Sequence, residues 1–296
     1  MNFQELITEN HWETFPIGLS GCRTSDFSLD VCDYDITVFD EKSDLEKIVQ
    51  YKNEYVKIHH GSISETQSKI LIQYDNMQII QDDSWDLRML LSKIKEKRFN
   101  LFKDHAKNSL LESLFCCQKA TQGIKDSSVF APCWQKSASF FLADGIMALN
   151  QIRSSPTHIL EVMRKFEKNP INEKISIINE TVGIERATPS LLERMLKSTI
   201  GFSEMVNSVG PSNLIKKKHD YFISNSMMAD CYFYLGWINK ENFVKIKDTI
   251  EKKPDLIHVL KTAFDLEADT PLLEHHVDMV KQSSNDILEM ASEGKV

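Results

Sequence analysis

The spacing of hydrophobic and polar positions changes once along the chain, near Trp85. Before this point short apolar runs alternate with polar residues, and a period of two is typical of β-strands. The runs at 36–39 and 54–63 predict strands, and 69–74 and 77–81 are strand-like, although the first of these two also fits a short helix. Amphipathic helices are predicted over 3–15 and, with Ser43 as N-cap, over 43–49.

After Trp85 apolar residues recur at helical spacing to the last residues of the sequence. Pro156, Pro189 and Pro271 each follow a Ser or Thr, as a first-turn proline follows an N-cap. The predicted helices are 86–97, 99–122, 131–152, 156–168, 171–182, 189–208, 212–239, 241–252, 255–266 and 271–292. The pattern therefore predicts an α+β fold, with a small mixed-sheet domain over residues 1–98 and an all-α helical bundle domain over residues 99–296.

Composition narrows the class of protein without identifying it. The 296 residues are 42% hydrophobic and 26% charged, which is ordinary for a globular protein. A net charge of −8 argues against a nucleic acid as the main partner, because polyanions bind basic surfaces. The six cysteines match neither a zinc-finger spacing nor a disulfide framework, so buried free thiols in a reducing cytoplasm are expected. The sequence shows neither a signal peptide nor a membrane-spanning run, and we expect no membrane partner.

Two aspartates begin the first predicted strand. Asp33 and Asp35 are two positions apart, so on a strand their carboxylates lie on the same face. Two like charges held this close are unfavourable unless a cation lies between them. Oxygen ligands suit Mg²⁺, which keeps coordination positions for substrate phosphates. The pair therefore predicts a magnesium site.

The stretch Pro16–Glu41, PIGLSGCRTSDFSLDVCDYDITVFDE, resembles the nucleotidyltransferase superfamily with the DNA polymerase β-like fold. In that family a Gly-Ser or Gly-Gly turn grips a nucleoside triphosphate, and an Asp-x-Asp pair shortly after it holds two Mg²⁺. The turn matches at either Gly18-Leu19-Ser20 or Ser20-Gly21-Cys22. The stretch SASFFLADGIMALNQI, over 137–152, is similar to the helical domain appended to several members.

The resemblance implies roles for further residues. The nucleotide-binding set would be Gly18, Ser20, Gly21, Cys22, Arg23 and Lys136, and the metal ligands Asp33 and Asp35. The family adds a third carboxylate on a neighbouring strand, but the strand predicted over 54–63 offers Lys57 and His59 on that face and no acid. His59 is the alternative general base, since a neutral imidazole suits pH 7.

Other groups fit ordinary structural roles. The basic run Lys216–His219 is predicted to be a solvated helix face. Aromatic residues over 221–237 predict a core helix rather than a base-stacking wall.

The resemblance implies Mg²⁺-dependent transfer of a nucleoside monophosphate from a triphosphate, such as ATP, to an acceptor hydroxyl. Asp33, Asp35 and His59 would be catalytic, and the acidic composition favours a small-molecule or protein acceptor. Two alternatives stay open. One is a nucleotide-binding regulator without catalysis, which the missing third acid favours. The other is a helical protein-interaction module, which the long helical half favours.

Overall fold

The computed structural model describes residues 1–42, 46–206, 211–266 and 269–292. The first part of the chain forms a five-stranded sheet in the order β3-β4-β2-β1-β5. Its strands are β1 Ile17–Ser20, β2 Tyr34–Val38, β3 Lys47–Tyr51, β4 Glu54–His60 and β5 Gln78–Gln81. Among neighbouring strands, β2 and β4 are parallel and the other three pairs are antiparallel, so the sheet is mixed.

The remaining described structure is mostly helical. The helices are α1 Phe3–Glu9, α2 Ser68–Leu71, α3 Asp86–Lys125, α4 Ala131–Leu149, α5 Ile159–Met163, α6 Ile175–Val182, α7 Pro189–Val206, α8 Pro211–Ser224, α9 Met228–Lys252, α10 Ile257–Phe264 and α11 Thr270–Ser292. The predicted α+β class, a small mixed sheet followed by helices, is confirmed.

Both faces of the sheet are covered by apolar side chains. On one face α1 contributes Leu6 and Ile7, which pack against Ile17, Ile36 and Val56 of the strands. A second cluster joins the residue after β2, the segment from the end of α2 to β5, and the start of α3. Its members are Phe39, Leu71, Tyr74, Met77, Leu87, Leu90 and Ile94. Burial of these side chains fixes the strand register, because a shift by one residue would turn every apolar side chain to the opposite face.

The helix α3 joins the two halves of the chain. It is 40 residues long and runs without a break through positions 98 and 99, where the sequence pattern suggested a domain boundary. Arg98 lies at this point and donates to both carboxylate oxygens of Asp75, at 2.8 and 3.0 Å. It also donates to the side chain and the backbone carbonyl of Gln151, at 2.8 and 2.6 Å. One guanidinium thus connects the segment before β5 to the loop after α4.

Several predicted elements differ from the structure. The helix predicted over 43–49 is wrong from Lys47 onward, where β3 begins, and residues 43–45 lie outside the described residues. Pairing with β4 accounts for the difference, since it satisfies the backbone groups that a local helix would otherwise satisfy. The segment 69–74 is helical, as its alternative interpretation allowed. The helix predicted over 212–239 breaks between α8 and α9, where Ser226 has a left-handed φ of 57°.

Candidate functional site

A 3₁₀ turn directly after β1 lies against the carboxylate of Asp35. β1 and β2 are antiparallel, with Ser20 opposite Asp35, and a 3₁₀ turn covers Gly21–Thr24. Gly21 has a φ of 77°, and a Cβ added there would lie 2.0 Å from Oδ2 of Asp35. The turn therefore requires glycine, both for its backbone angle and because the Asp35 carboxylate lies directly against it.

The Asp33 carboxylate is buried and already neutralised. It is 6% exposed, and its Oδ1 lies 2.6 Å from Nζ of Lys218, which is 5% exposed. Burial acts to raise the pKa of Asp33, but the Lys218 ammonium more than offsets this, so the pKa lies below its usual value. Burial also acts to lower the pKa of Lys218, but the Asp33 carboxylate has the larger effect, so this pKa lies above its usual value. The two side chains form a buried salt bridge between the sheet and α8.

This pairing corrects the interpretation of the basic run on α8. Lys216 is exposed and Lys217 half-exposed, as a solvated face requires, but Lys218 and His219 are buried. The prediction is wrong for those two residues because α8 packs against α7 and α9 and places Lys218 against Asp33, just before β2. The Lys218 Nζ lies 5.8 Å from the centre of the Tyr234 ring, on α9.

Asp35 faces basic side chains on the neighbouring parallel strand. Lys57 is its register partner on β4, and Nε2 of His59 lies 3.8 Å from Oδ1 of Asp35. Lys57 also lies 3.1 Å from Glu46. Burial acts to lower the pKa of Lys57, while Glu46 and Asp35 raise it further than burial lowers it. A lysine and a histidine thus face Asp35 from β4, the strand on which the resemblance would imply a third carboxylate.

The predicted phosphate-turn residues have protein partners of their own. Arg23 donates from Nε and Nη2 to the Cys32 carbonyl, at 3.0 and 2.6 Å, and lies over the Tyr34 ring. Its guanidinium therefore holds the loop that leads into β2. At Gly18, a Cβ would lie 2.1 Å from Sδ of Met77, so this glycine makes room for a core side chain. Ser20 is buried in β1.

Two further predicted site residues lie in buried surroundings. Cys22 is 4% exposed and lies beside Cys32 and His158. Lys136 is 3% exposed inside the helical part. Its Nζ donates to the carbonyls of Phe264 and Asp265, at 2.7 and 2.9 Å, and to a tyrosine hydroxyl. Burial, assisted by a nearby arginine, lowers the pKa of Lys136 to about 7. The structure thus places this lysine among helices rather than beside the aspartate pair.

The helical part contributes a residue that the sequence analysis missed. Arg153, in the loop after α4, is exposed. Desolvation lowers the pKa of Arg153, whereas the negative charges of Asp144 and Asp35 act to raise it. A small crevice, open to solvent and with room for about one water molecule, is lined by Arg153, Asp144, His105 and apolar side chains. Nothing in the local pattern distinguishes this arginine from a solvated loop residue.

The two aspartates already have cationic partners within the protein. A two-magnesium site needs carboxylates that are free to share both ions. Here Asp33 is bonded to Lys218 and Asp35 faces Lys57 and His59. Within the described part of the chain, no third carboxylate joins Asp33 and Asp35 at metal-ligand spacing. The residues as arranged do not fit two magnesium ions.

No family model and no curated protein matches this sequence. Among solved structures, a nucleotidyltransferase-like protein from Exiguobacterium sibiricum 255-15 is similar to the chain at 12% identity. The alignment covers 98% of this chain and 90% of that one, with a TM-score of 0.34. A TM-score this low does not indicate a shared function. Among the described helices, none is long and apolar enough to cross a membrane.

Proposed function

We propose that this chain is a nucleotidyltransferase-like protein that binds a nucleoside triphosphate between its sheet and its helical part and does not transfer the nucleotidyl group. The buried ion pair between Lys218 and Asp33 carries the proposal. In the family that the sequence resembles, the first aspartate of the pair holds metal. Here an ammonium of the chain itself supplies the compensating positive charge.

Two observations support binding of a triphosphate. The β1–turn–β2 arrangement has the order of elements that the family uses to grip phosphates. Arg153 is exposed beside the crevice, and no hydrogen bond or ion pair to it is found among the described residues. A guanidinium presents a planar set of donors that matches phosphate oxygens.

The proposal makes magnesium unnecessary for binding. If Lys57 and Arg153 meet the charge of the triphosphate, added Mg²⁺ competes with them for phosphate oxygens rather than joining the protein to the ligand. Binding would then weaken as salt concentration rises, because these contacts are ionic. It would also leave the triphosphate intact, because the ammonium of Lys218 takes the place of a metal ion at Asp33.

A thermal-shift screen with ATP, GTP, CTP and UTP, each with and without Mg²⁺, tests this. A ligand at a hundred times its dissociation constant stabilises the folded state by about 2.7 kcal/mol, which such a screen detects easily. We expect a shift with at least one triphosphate that does not require Mg²⁺ and is lost in Arg153→Gln. Arg194→Gln is the matched control, because Arg194 is an exposed arginine on α7. No shift with any triphosphate would refute the proposal.

Mg²⁺-dependent nucleotidyl transfer is the second candidate. Asp35 is half-buried, with a side chain 19% exposed, and His59 lies within 3.8 Å of it as a base would. This function requires Lys218 to leave Asp33. It predicts a thermal shift that depends on Mg²⁺, together with pyrophosphate release that Asp35→Asn abolishes. Observation of both would replace the first proposal, whereas binding without release of pyrophosphate would exclude transfer under the conditions used.

A further inference from the structure

Three side chains that commonly bind metal ions meet at one buried point beside the aspartate pair. Cys22 Sγ, Cys32 Sγ and a ring nitrogen of His158 all lie within 4.8 Å of one another. The three residues are 4%, 1% and 0% exposed. They come from the 3₁₀ turn, the loop before β2 and the residue before α5, so the tertiary fold alone brings them together.

The histidine is oriented as a metal-binding histidine usually is. Its Nε2 lies 3.2 Å from Sγ of Cys32, and its Nδ1 lies 3.4 Å from a carboxylate oxygen of Glu161. In protein metal sites the second ring nitrogen commonly donates to a carboxylate, which fixes the ring and its tautomer. The Glu161 contact is thus a second observation, independent of the cysteines, that points to a ligand at Nε2.

We propose that Cys22, Cys32 and His158 bind one zinc ion. Thiolates and imidazole are ligands that Zn²⁺ prefers, whereas Mg²⁺ and Ca²⁺ prefer oxygen. Two thiolates and a neutral imidazole cancel the charge of Zn²⁺, so the complete site is neutral and its burial costs far less than that of a bare ion. Binding displaces the thiol protons to solvent.

Three protein ligands leave one position of a tetrahedral zinc to a water or a small ligand. Among the described residues, no fourth cysteine, histidine or carboxylate joins the group within the same distance. Asp33 directly follows Cys32, but its carboxylate is bonded to Lys218. The open position is therefore assigned to a non-protein ligand.

The proposed site joins parts of the chain that are far apart in sequence. Cys32 and His158 are separated by 126 positions. A shared metal ion would tie the turn and the β2 entry to the helical part and hold Asp33 in place. This role is independent of nucleotide binding, so the zinc site stands whether or not the proposed function does.

Metal analysis of the full chain tests the proposal directly. The protein is purified without chelators, incubated with ZnSO₄, desalted and analysed for zinc, copper and iron by mass spectrometry. We expect about one zinc per chain in the wild type and background levels in Cys32→Ser and His158→Gln. Cys231→Ser is the matched control and should keep its zinc, because Cys231 is an equally buried thiol outside the group. Full zinc retention by either ligand variant, or copper or iron in place of zinc, would overturn the assignment.

Two measurements on the wild type keep the test valid if a ligand variant fails to fold. Co²⁺ in place of zinc should give sulfur-to-cobalt charge-transfer absorption and the strong visible bands of tetrahedral cobalt. Zinc should also raise the unfolding temperature, and a chelator should reverse this increase. A wild-type protein that takes up no metal and shows neither effect would refute the site.

Discussion

Replacing Lys218 by methionine removes the ammonium bonded to Asp33 while keeping most of the length and the apolar surface of the side chain. The side chains of Lys218 and Asp33 are only 6% and 8% exposed, so water cannot take the place of the lost partner. Removing one member of such a buried pair costs about 3–5 kcal/mol, because the other charge stays buried without compensation. This is a large part of the roughly 5–15 kcal/mol by which folded domains are stable.

Urea unfolding followed by circular dichroism measures this loss, and Lys217→Met is the matched control. Lys217 is the adjacent residue on α8, has a side chain 36% exposed and lies 3.9 Å from Glu54. An exposed pair of this kind is worth about 0–1 kcal/mol. Combining Lys218→Met with Asp33→Asn should recover much of the loss, because no charge is then left buried.

The contribution of Asp33 to the free energy of unfolding should change with pH in opposite directions in the wild type and in Lys218→Met. In the wild type the pKa of Asp33 is held below its usual value, so its contribution to stability is present above about pH 3.9 and is lost as pH falls through the lower folded-state pKa. In Lys218→Met, burial without the ammonium raises the pKa of Asp33. Its folded state then binds a proton more readily than the unfolded chain, and the destabilisation shrinks as pH falls from neutral towards 4.

Equal losses of stability in Lys218→Met and Lys217→Met would refute this reasoning, since they would mean that Asp33 and Lys218 are not buried together. A destabilisation that stays constant between pH 7 and 4 would contradict the argument in a second way, because it would show that no buried carboxylate had lost its partner.

Three further predictions concern individual residues. Gly21→Ala should destabilise the protein by about 1–3 kcal/mol, since its φ is 77° and a Cβ would meet a carboxylate oxygen; Gly201→Ala, in an open helical position, should be neutral or stabilising in the same urea assay. Lys136→Met should lower the unfolding temperature by stranding two carbonyl acceptors, while the dissociation constant for a bound triphosphate, measured by calorimetry, stays unchanged. Arg98→Lys should lower the urea midpoint, because an ammonium cannot reproduce the two-point contact with Asp75; an unchanged midpoint would contradict this.

The sequence by itself determined the features that depend on nearby residues. The alternation at 36–39 and 54–60 predicted β2 and β4, and apolar spacing after Trp85 predicted the helical part. α7 begins at Pro189 and α11 at Thr270, where a proline and its cap predicted a start, whereas α5 begins at Ile159, three residues after Pro156. The sequence also showed Lys57 and His59 on one face of the strand predicted over 54–63, with no acid beside them, because side chains two positions apart share a face; the structure places this face beside Asp35.

Only the tertiary structure decided which charges and ligands meet. Lys218 lies 185 positions from Asp33, and a basic run on a helix looks solvated until the packing of α8 buries one of its members. Cys32 and His158 belong to no local spacing. β3 formed where a capped helix was predicted, because pairing with β4 outweighs a weak local preference. Local patterns report backbone geometry and the buried face of each element, whereas a site assembled from distant elements depends on how those elements pack.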